Sequence, residues 1–188
     1  MMYKIKSIFY TIQGEGYWAG TPAVFCRFAG CDLECGFCDT DFEGGKTYSG
    51  NQLVHDIQEA NTSNCTHVVL TGGEPALQVN VSLIQLLQEV GLTTHIETHG
   101  GHPLPHNLDW ICVSPKTKKL VVMTGDEIKV LYPAFDPHAY THLNFKWWSI
   151  QPVMDKNYKH NLQASIDFYM KYPKWHLSTQ QPNIWGVL

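Results

Sequence analysis

Cys31, Cys35 and Cys38 share one short run, Gly30-Cys31-Asp32-Leu33-Glu34-Cys35-Gly36-Phe37-Cys38-Asp39-Thr40. The pattern is Cys-x3-Cys-x2-Cys, with no fourth cysteine close behind. Ordinary four-iron clusters use four cysteine ligands, one per iron. Three thiolates leave one iron with an open position, which can chelate the amine and carboxylate of an amino acid and do chemistry on it. A closed cluster mostly passes electrons. The competing reading is a zinc site of three thiolates and a distant histidine. Zinc sites usually come as paired knuckles, and no second Cys-x2-Cys occurs here.

Gly72-Gly73-Glu74-Pro75 is the second informative run. Two residues without Cβ atoms let the backbone approach a ligand closely. Glu74 can accept charge-assisted hydrogen bonds from an ammonium group. Taken alone, the run also reads as an ordinary strand-to-helix turn. Arg27 lies between Cys26 and Phe28 in an apolar run, where a guanidinium calls for a buried anion such as a carboxylate. A surface ion pair is the plainer alternative. Thr40 offers a hydroxyl oxygen to a hard cation, or caps the following turn. Lys129 alternates with Ile128 and Val130, so it is expected to point inward, toward a ligand or toward Asp126 or Glu127. Glu97 is expected to hydrogen-bond to a cofactor or a neighbour.

These residues lie within or just after recurrent short apolar runs: 23–28, 67–70, 94–97, 110–113, 127–131, 146–150 and 175–177. Such runs suit strands buried on both faces. Helix-like stretches lie between some of them. Ser49 is placed to cap a helix carrying Leu53, Ile57 and Ala60. Ile84, Leu87 and Val90 recur at helical spacing and Gly91 stops the pattern. A third helix over 160–171 carries Leu162, Ile166, Phe168 and Tyr169. Alternating strands and helices predict an α/β fold with a parallel sheet and right-handed crossovers. A closed eight-fold barrel takes about 250 residues, so 188 residues predict an incomplete (β/α) barrel of about six parallel strands, in one domain over residues 1–188. The run 3–9 is expected to add an edge strand. Four segments follow strands, the three-cysteine loop after 23–28, Thr71–Pro75 after 67–70, Ser114-Pro115-Lys116 after 110–113 and Gln151-Pro152 after 146–150, at the carboxyl edge where parallel folds gather ligands.

Bulk composition excludes some classes. The formal net charge is −4, and no basic face suggests a nucleic-acid partner. No apolar stretch is long enough to span a membrane, and the N-terminus lacks the apolar segment of a secretion signal. A cytoplasmic, reducing location is therefore expected, where clustered cysteines are ligands rather than disulfides. Cys26 and Cys112 lie in apolar runs and read as buried structural thiols. The histidines, His67, His95, His99, His102 and His106 among them, follow no metal-ligand spacing.

Three cysteines in this spacing, with Phe37 just before the last, resemble the radical S-adenosylmethionine superfamily. A narrower resemblance is to the 7-carboxy-7-deazaguanine synthase family of 7-deazapurine (queuosine precursor) biosynthesis. It is carried by Thr11-Ile12-Gln13-Gly14-Glu15-Gly16, by 22–25 with Arg27, by Ala29-Gly30-Cys31 through Cys38-Asp39-Thr40, by 68–75, by Ile96-Glu97-Thr98 with Gly100, and by Val113-Ser114-Pro115-Lys116. Gln151-Pro152 and Leu177-Ser178 with Gln180 match more weakly. The chain departs from the family at His99, where a smaller polar residue is common, and at Gln180-Gln181-Pro182-Asn183, where some members read Gln-Thr-His-Lys.

The resemblance implies a [4Fe-4S] cluster on Cys31, Cys35 and Cys38. It implies S-adenosyl-L-methionine against Gly36, Phe37, Asp39, Gly73, Glu74, Ser114, Pro115, Lys116 and Gln151, and Mg²⁺ on Thr40. A pterin would meet Ile12, Gln13, Gly14, Glu15, Arg27 and Thr71. The implied reaction takes hydrogen from C6 of 6-carboxy-5,6,7,8-tetrahydropterin, contracts the ring and releases ammonia, leaving 7-carboxy-7-deazaguanine. An electron donor such as a flavodoxin or ferredoxin, and a homodimer, are implied as well. The alternative is another small radical S-adenosylmethionine enzyme, such as a glycyl-radical activating enzyme; those share this cysteine spacing but do not usually carry Gln-Gly-Glu-Gly upstream.

Overall fold

The computed structural model describes residues 1–38 and 40–181. The chain runs through strand β1 (Met2–Ile12), β2 (Pro22–Phe28), β3 (Lys46–Ser49), helix α1 (Gly50–Ala60), β4 (His67–Gly72), α2 (Val81–Glu89), β5 (Thr93–Thr98), β6 (Trp110–Val113), β7 (Thr124–Tyr132), β8 (Asn144–Pro152), α3 (Tyr158–Lys171) and β9 (His176–Leu177). These strands form one sheet in the order β3-β1-β2-β4-β5-β6-β7-β8-β9. From β2 through β9 every pairing is parallel. The expected incomplete barrel is therefore present, its seventh parallel strand being the two-residue β9.

The N-terminal run differs from expectation in one respect. It is longer than read from sequence and is not the edge: β1 pairs antiparallel with both β2 and β3, and β3 lies outermost. Among the described residues, only α1, α2 and α3 are full helices. Loops, with a short 3₁₀ turn at Pro137–Tyr140, make the other crossovers.

Local chemistry accounts for the helix bounds. Ser49 caps α1 with a reciprocal Ser49–Gln52 box, and the Asn80 side chain accepts from Leu83 N to cap α2. Gly91, at φ +83°, takes the left-handed turn that ends α2. The inward line of α3 is not the expected one. Asn161, Ser165 and Phe168 are buried, and Leu162 and Ile166 only half so. The polar pair can face inward because its bonds are met: Ser165 Oγ donates to the Asn161 carbonyl at 2.8 Å, and Asn161 Nδ2 to the Val153 carbonyl at 3.0 Å.

Strand alternation divides the sheet. On the outer face Val24, Cys26, Phe28, Val68, Leu70 and Ile96 pack with Leu53 and Ile57 of α1 and Leu83, Ile84 and Leu87 of α2. Val113, Ile128, Val130, Trp148 and Ile150 continue that layer against Phe168 and Trp175. The intervening residues face the barrel interior, and there the polar and charged side chains collect. Among the described residues no helix is long and apolar enough to cross a membrane.

Candidate active site at the carboxyl edge of the barrel

The cysteine loop leaves the end of β2 and is held by the end of β4. Gly73 N donates to the Phe28 carbonyl at 2.9 Å, and Glu74 N to the Gly30 carbonyl at 2.9 Å. A Cβ on Gly73 would lie 1.9 Å from that Gly30 oxygen; one on Gly72, at φ +116°, would lie 2.4 Å from Phe28 N and O. The two glycines were expected to admit a ligand. They also admit the backbone at the end of β2, so that two strand exits run backbone against backbone.

The three thiols are unpaired, Cys31 and Cys35 half-buried and Cys38 exposed. Cys38 N donates to the Cys35 carbonyl at 3.0 Å, and Leu33 N to Cys31 Sγ at 3.4 Å. Burial pushes the Cys31 and Cys35 thiols up, and the Lys116 charge partly offsets this at Cys35. Three soft donors on one loop fit an iron–sulfur cluster. Thr40 is half-buried, and its carbonyl accepts from Cys38 Sγ at 3.6 Å. Asp39 lies outside the described residues.

Sequence reading missed the clasp on this loop. Asp32 Oδ1 meets His99 Nε2 at 3.0 Å and Asp32 Oδ2 meets His102 Nε2 at 2.8 Å. The scattered histidines thus do converge, on a carboxylate next to Cys31. Cys31 Sγ, Asp32 and His99 lie within 4.8 Å of one another.

Glu74 is fully buried and its carboxylate is already occupied. Oε1 accepts from Ala76 N at 2.9 Å and Thr98 Oγ1 at 2.7 Å, and Oε2 from His99 N at 2.9 Å. His99 Nε2 stands 3.2 Å from Oε2. The side chain bolts the ends of β4 and β5 together and caps the turn at Pro75–Leu77.

Across the mouth, Lys116 Nζ donates to Ser114 Oγ at 2.8 Å and lies 5.9 Å from the Phe37 ring centre. Pro115 between them is buried. Phe37 in turn packs edge-on against Phe135 at 5.8 Å. An aromatic face, a hydroxyl and a cation thus border the cysteines, a surface suited to an adenosyl group and a carboxylate.

Below the mouth lie the residues expected to meet substrate. Arg27 and Thr71 are cross-strand neighbours. Arg27 is exposed, not buried on an anion: its guanidinium sits over Phe9 at 4.9 Å, and no carboxylate among the described residues pairs with it. The reason is alternation, since Cys26 and Phe28 face the helices and Arg27 faces the open interior. Ile12 ends β1, and the loop beyond it turns back through Gln13 N to the Thr21 carbonyl at 2.8 Å and Gly20 N to the Gln13 carbonyl at 2.7 Å. Gly14 is buried, and its carbonyl accepts from Gln181 N.

That loop joins the amino ends of the parallel strands and plugs the barrel from beneath. Tyr17 and Trp18 pack with Trp110 and Trp147, and Trp18 also with His67 and His95. Gly16, at φ +66°, fits because a Cβ there would lie 2.5 Å from Glu127.

Gln13 and Glu15 reach up from this plug into a cluster of buried charges with Glu97, Glu127 and Lys129. Lys129 pairs with Glu15 and Glu97, not with Asp126 or Glu127. Glu127 is satisfied by Ser149 Oγ at 2.5 Å and Tyr17 N at 3.1 Å. Gln151, expected at the cofactor, is buried inside, where Ser178 Oγ donates to its Oε1 at 2.8 Å and Gly16 N donates to Ser178 Oγ. A small cavity of about 10 Å³ lies among these groups, lined also by Trp18 and His95, whose Nε1 and Nε2 have no partner among the described residues. That is about the room one water needs.

Comparison with known proteins bears on this geometry. Residues 12–108 match a family model described as a 4Fe-4S single cluster domain. Fold and cysteine loop together define an iron–sulfur protein of the radical S-adenosylmethionine type. A 7-carboxy-7-deazaguanine synthase of Bacteroides thetaiotaomicron is 43% identical over 181 residues, covering 96% of each chain. One from Burkholderia multivorans is 42% identical over 202 residues, again 96% of each. The crystal structure of QueE from Escherichia coli superposes with a TM-score of 0.76 at 27% identity, covering 96% of this chain and 94% of that one. The chain belongs to the 7-carboxy-7-deazaguanine synthase family.

Proposed function

We propose that this protein, as a single domain, converts 6-carboxy-5,6,7,8-tetrahydropterin to 7-carboxy-7-deazaguanine with loss of ammonia. One observation carries the reading: in a chain matching synthases along nearly its whole length, the cysteine loop and the Gln13–Glu15 segment open onto one barrel interior from opposite ends.

Cys31, Cys35 and Cys38 would hold the cluster. Gly36, Phe37, Gly73, Ser114, Pro115 and Lys116 would border S-adenosylmethionine. When bound, the cluster and S-adenosylmethionine together supply a carbon radical able to take hydrogen from an unactivated position. Arg27 and Thr71, side by side on β2 and β4, would receive the substrate carboxylate below them. Ile12, Gln13, Gly14 and Glu15 would meet the pyrimidine edge at the floor. The plug of Tyr17 and Trp18 excludes bulk water from that end. Thr40 supports a Mg²⁺ site near the mouth, since a hard cation takes a few protein oxygens and completes its shell from substrate and water. A flavodoxin or ferredoxin as electron donor, a homodimer and a cytoplasmic location complete the proposal.

The test is anaerobic reconstitution with iron and sulfide, then mass analysis of the product from the carboxytetrahydropterin with S-adenosylmethionine, Mg²⁺ and a reductant. The expected product is 7-carboxy-7-deazaguanine, formed without a protein partner. A reconstituted four-iron protein that leaves the pterin intact would overturn the reading.

A further inference from the structure

The four polar side chains at the barrel floor close a ring. Lys129 Nζ binds a carboxylate oxygen of Glu15 and stands 3.5 Å from Glu97 Oε2. Gln13 Nε2 donates to the other Glu97 oxygen at 2.8 Å, and Gln13 Oε1 accepts from Glu15 N at 3.1 Å. Both ends of the Gln13 amide are thus committed, which fixes its orientation. The ring is also layered. The Lys129 side chain is 4% exposed, whereas those of Glu15 and Glu97 are 20% and 22% exposed. The cation sits behind and the carboxylates in front, so what a ligand in the barrel meets is acceptor oxygen.

Resting on the functional reading above, we infer that Lys129, with Glu97, is a positioning residue that sets substrate specificity: it keeps Glu15 an ionised acceptor, so that the floor selects a heterocycle presenting an amino group and ring N–H donors on one edge. A 2-amino-4-oxopyrimidine presents such an edge. Replacing its amino group by a carbonyl would place two acceptors face to face, which a site built to pair a donor rejects strongly. Lys129 itself need not touch the substrate.

Electrostatics support the arrangement. The titratable groups around Glu15 are Lys129 and Glu127 on β7, Glu97 and His95 on β5, Cys112 on β6 and Lys116 at the mouth. Burial pushes the Glu15 carboxyl up. The Lys129 charge, with hydrogen bonds from Lys129, Gln180 and Gln151, outweighs that and holds it below the ordinary carboxylate range. Without Lys129 the burial effect is left opposed only by the two amides, among neighbouring carboxylates. Glu15 would then hold its proton to a higher pH than in the wild type, becoming a donor where an acceptor is required.

The experiment compares holoenzymes of wild type, Lys129→Met and Lys129→Arg. It measures kcat and KM for the carboxytetrahydropterin from acid to alkaline pH, and selectivity against the analogue with a 2-oxo in place of the 2-amino group. In Lys129→Met, KM is expected to rise roughly tenfold or more, with kcat at saturation changing much less. The rise should steepen as pH falls, and selectivity for the amino compound should drop by about the same factor. Lys129→Arg, which keeps the cation, should restore the wild-type acid limb. Should Lys129→Met fail to fold or to hold iron, the Glu97→Gln/Lys129→Met double variant removes one charge of each sign and is held to the same expectations. Wild-type enzyme inert toward the pterin overturns the functional reading, and this inference with it. Wild-type turnover with unchanged KM, pH profile and selectivity in the variants overturns the inference alone.

Discussion

His95 is 3% exposed, ringed by Trp18, His67 and Trp110, lines the small cavity at the barrel floor, and its Nε2 has no partner among the described residues. Burial, with the His67 charge adding to it, lowers its pKa from 6.5 to about 4. In the unfolded chain the ring takes a proton near pH 6.5; in the folded protein it does so only near pH 4. Between those values the unfolded state holds the extra proton, so stability falls as pH falls through that window. The loss by pH 4 should be on the order of 3 kcal/mol. Thermal unfolding of wild type and His95→Gln across this range checks it: the variant should show a visibly flatter acid limb. Equal slopes would mean that other groups carry the acid sensitivity.

Among elements, the informative junction is where β4 and β2 end. Gly72 and Gly73 let the two exits touch, and Glu74 then fastens β5 to the same place. The cysteine loop is thus anchored by neighbouring strands before any metal arrives. Gly73→Ala puts a Cβ where the Gly30 carbonyl now is, and Gly30 precedes the first ligand. The expected cost is about 3 kcal/mol of stability, from displacing backbone rather than a side chain. Iron bound per chain after reconstitution should fall along with Tm. A variant that loads iron like wild type would show that the junction does not place the loop.

For the whole molecule, the barrel is open along one side and closed at one end. The closing piece is the β1–β2 loop, whose Tyr17 and Trp18 lock onto strand starts from β4 to β8. The same loop carries Gln13 and Glu15, so closing the floor and presenting the substrate contacts are one structural act. Trp18→Ala removes part of the plug. It should cost about 2 kcal/mol, less than a fully buried tryptophan because Trp18 is half-buried. It should also raise KM for the pterin while iron content stays at the wild-type level, since the cysteines lie at the far end. Loss of iron in this variant would contradict that separation.

The local parts of this protein were legible in its residues. Apolar runs marked the parallel strands, Ser49 and Gly91 marked helix ends, and three cysteines on one loop marked the cluster chemistry, because each signal is read over a few neighbouring positions. The partners were not legible. Lys129 meets Glu15 across 114 positions, Gln13 meets Glu97 across 84, and His102 meets Asp32 across 70. Periodicity could put Lys129 inside, but not say which carboxylate waited there. It likewise placed Arg27 and Glu74 correctly at strand ends and misjudged their surroundings, an open interior for one and a filled hydrogen-bond shell for the other. Sequence set which elements form and what chemistry they carry; only the folded barrel decided which side chains face each other, because strand order and closure bring together residues that no local pattern connects.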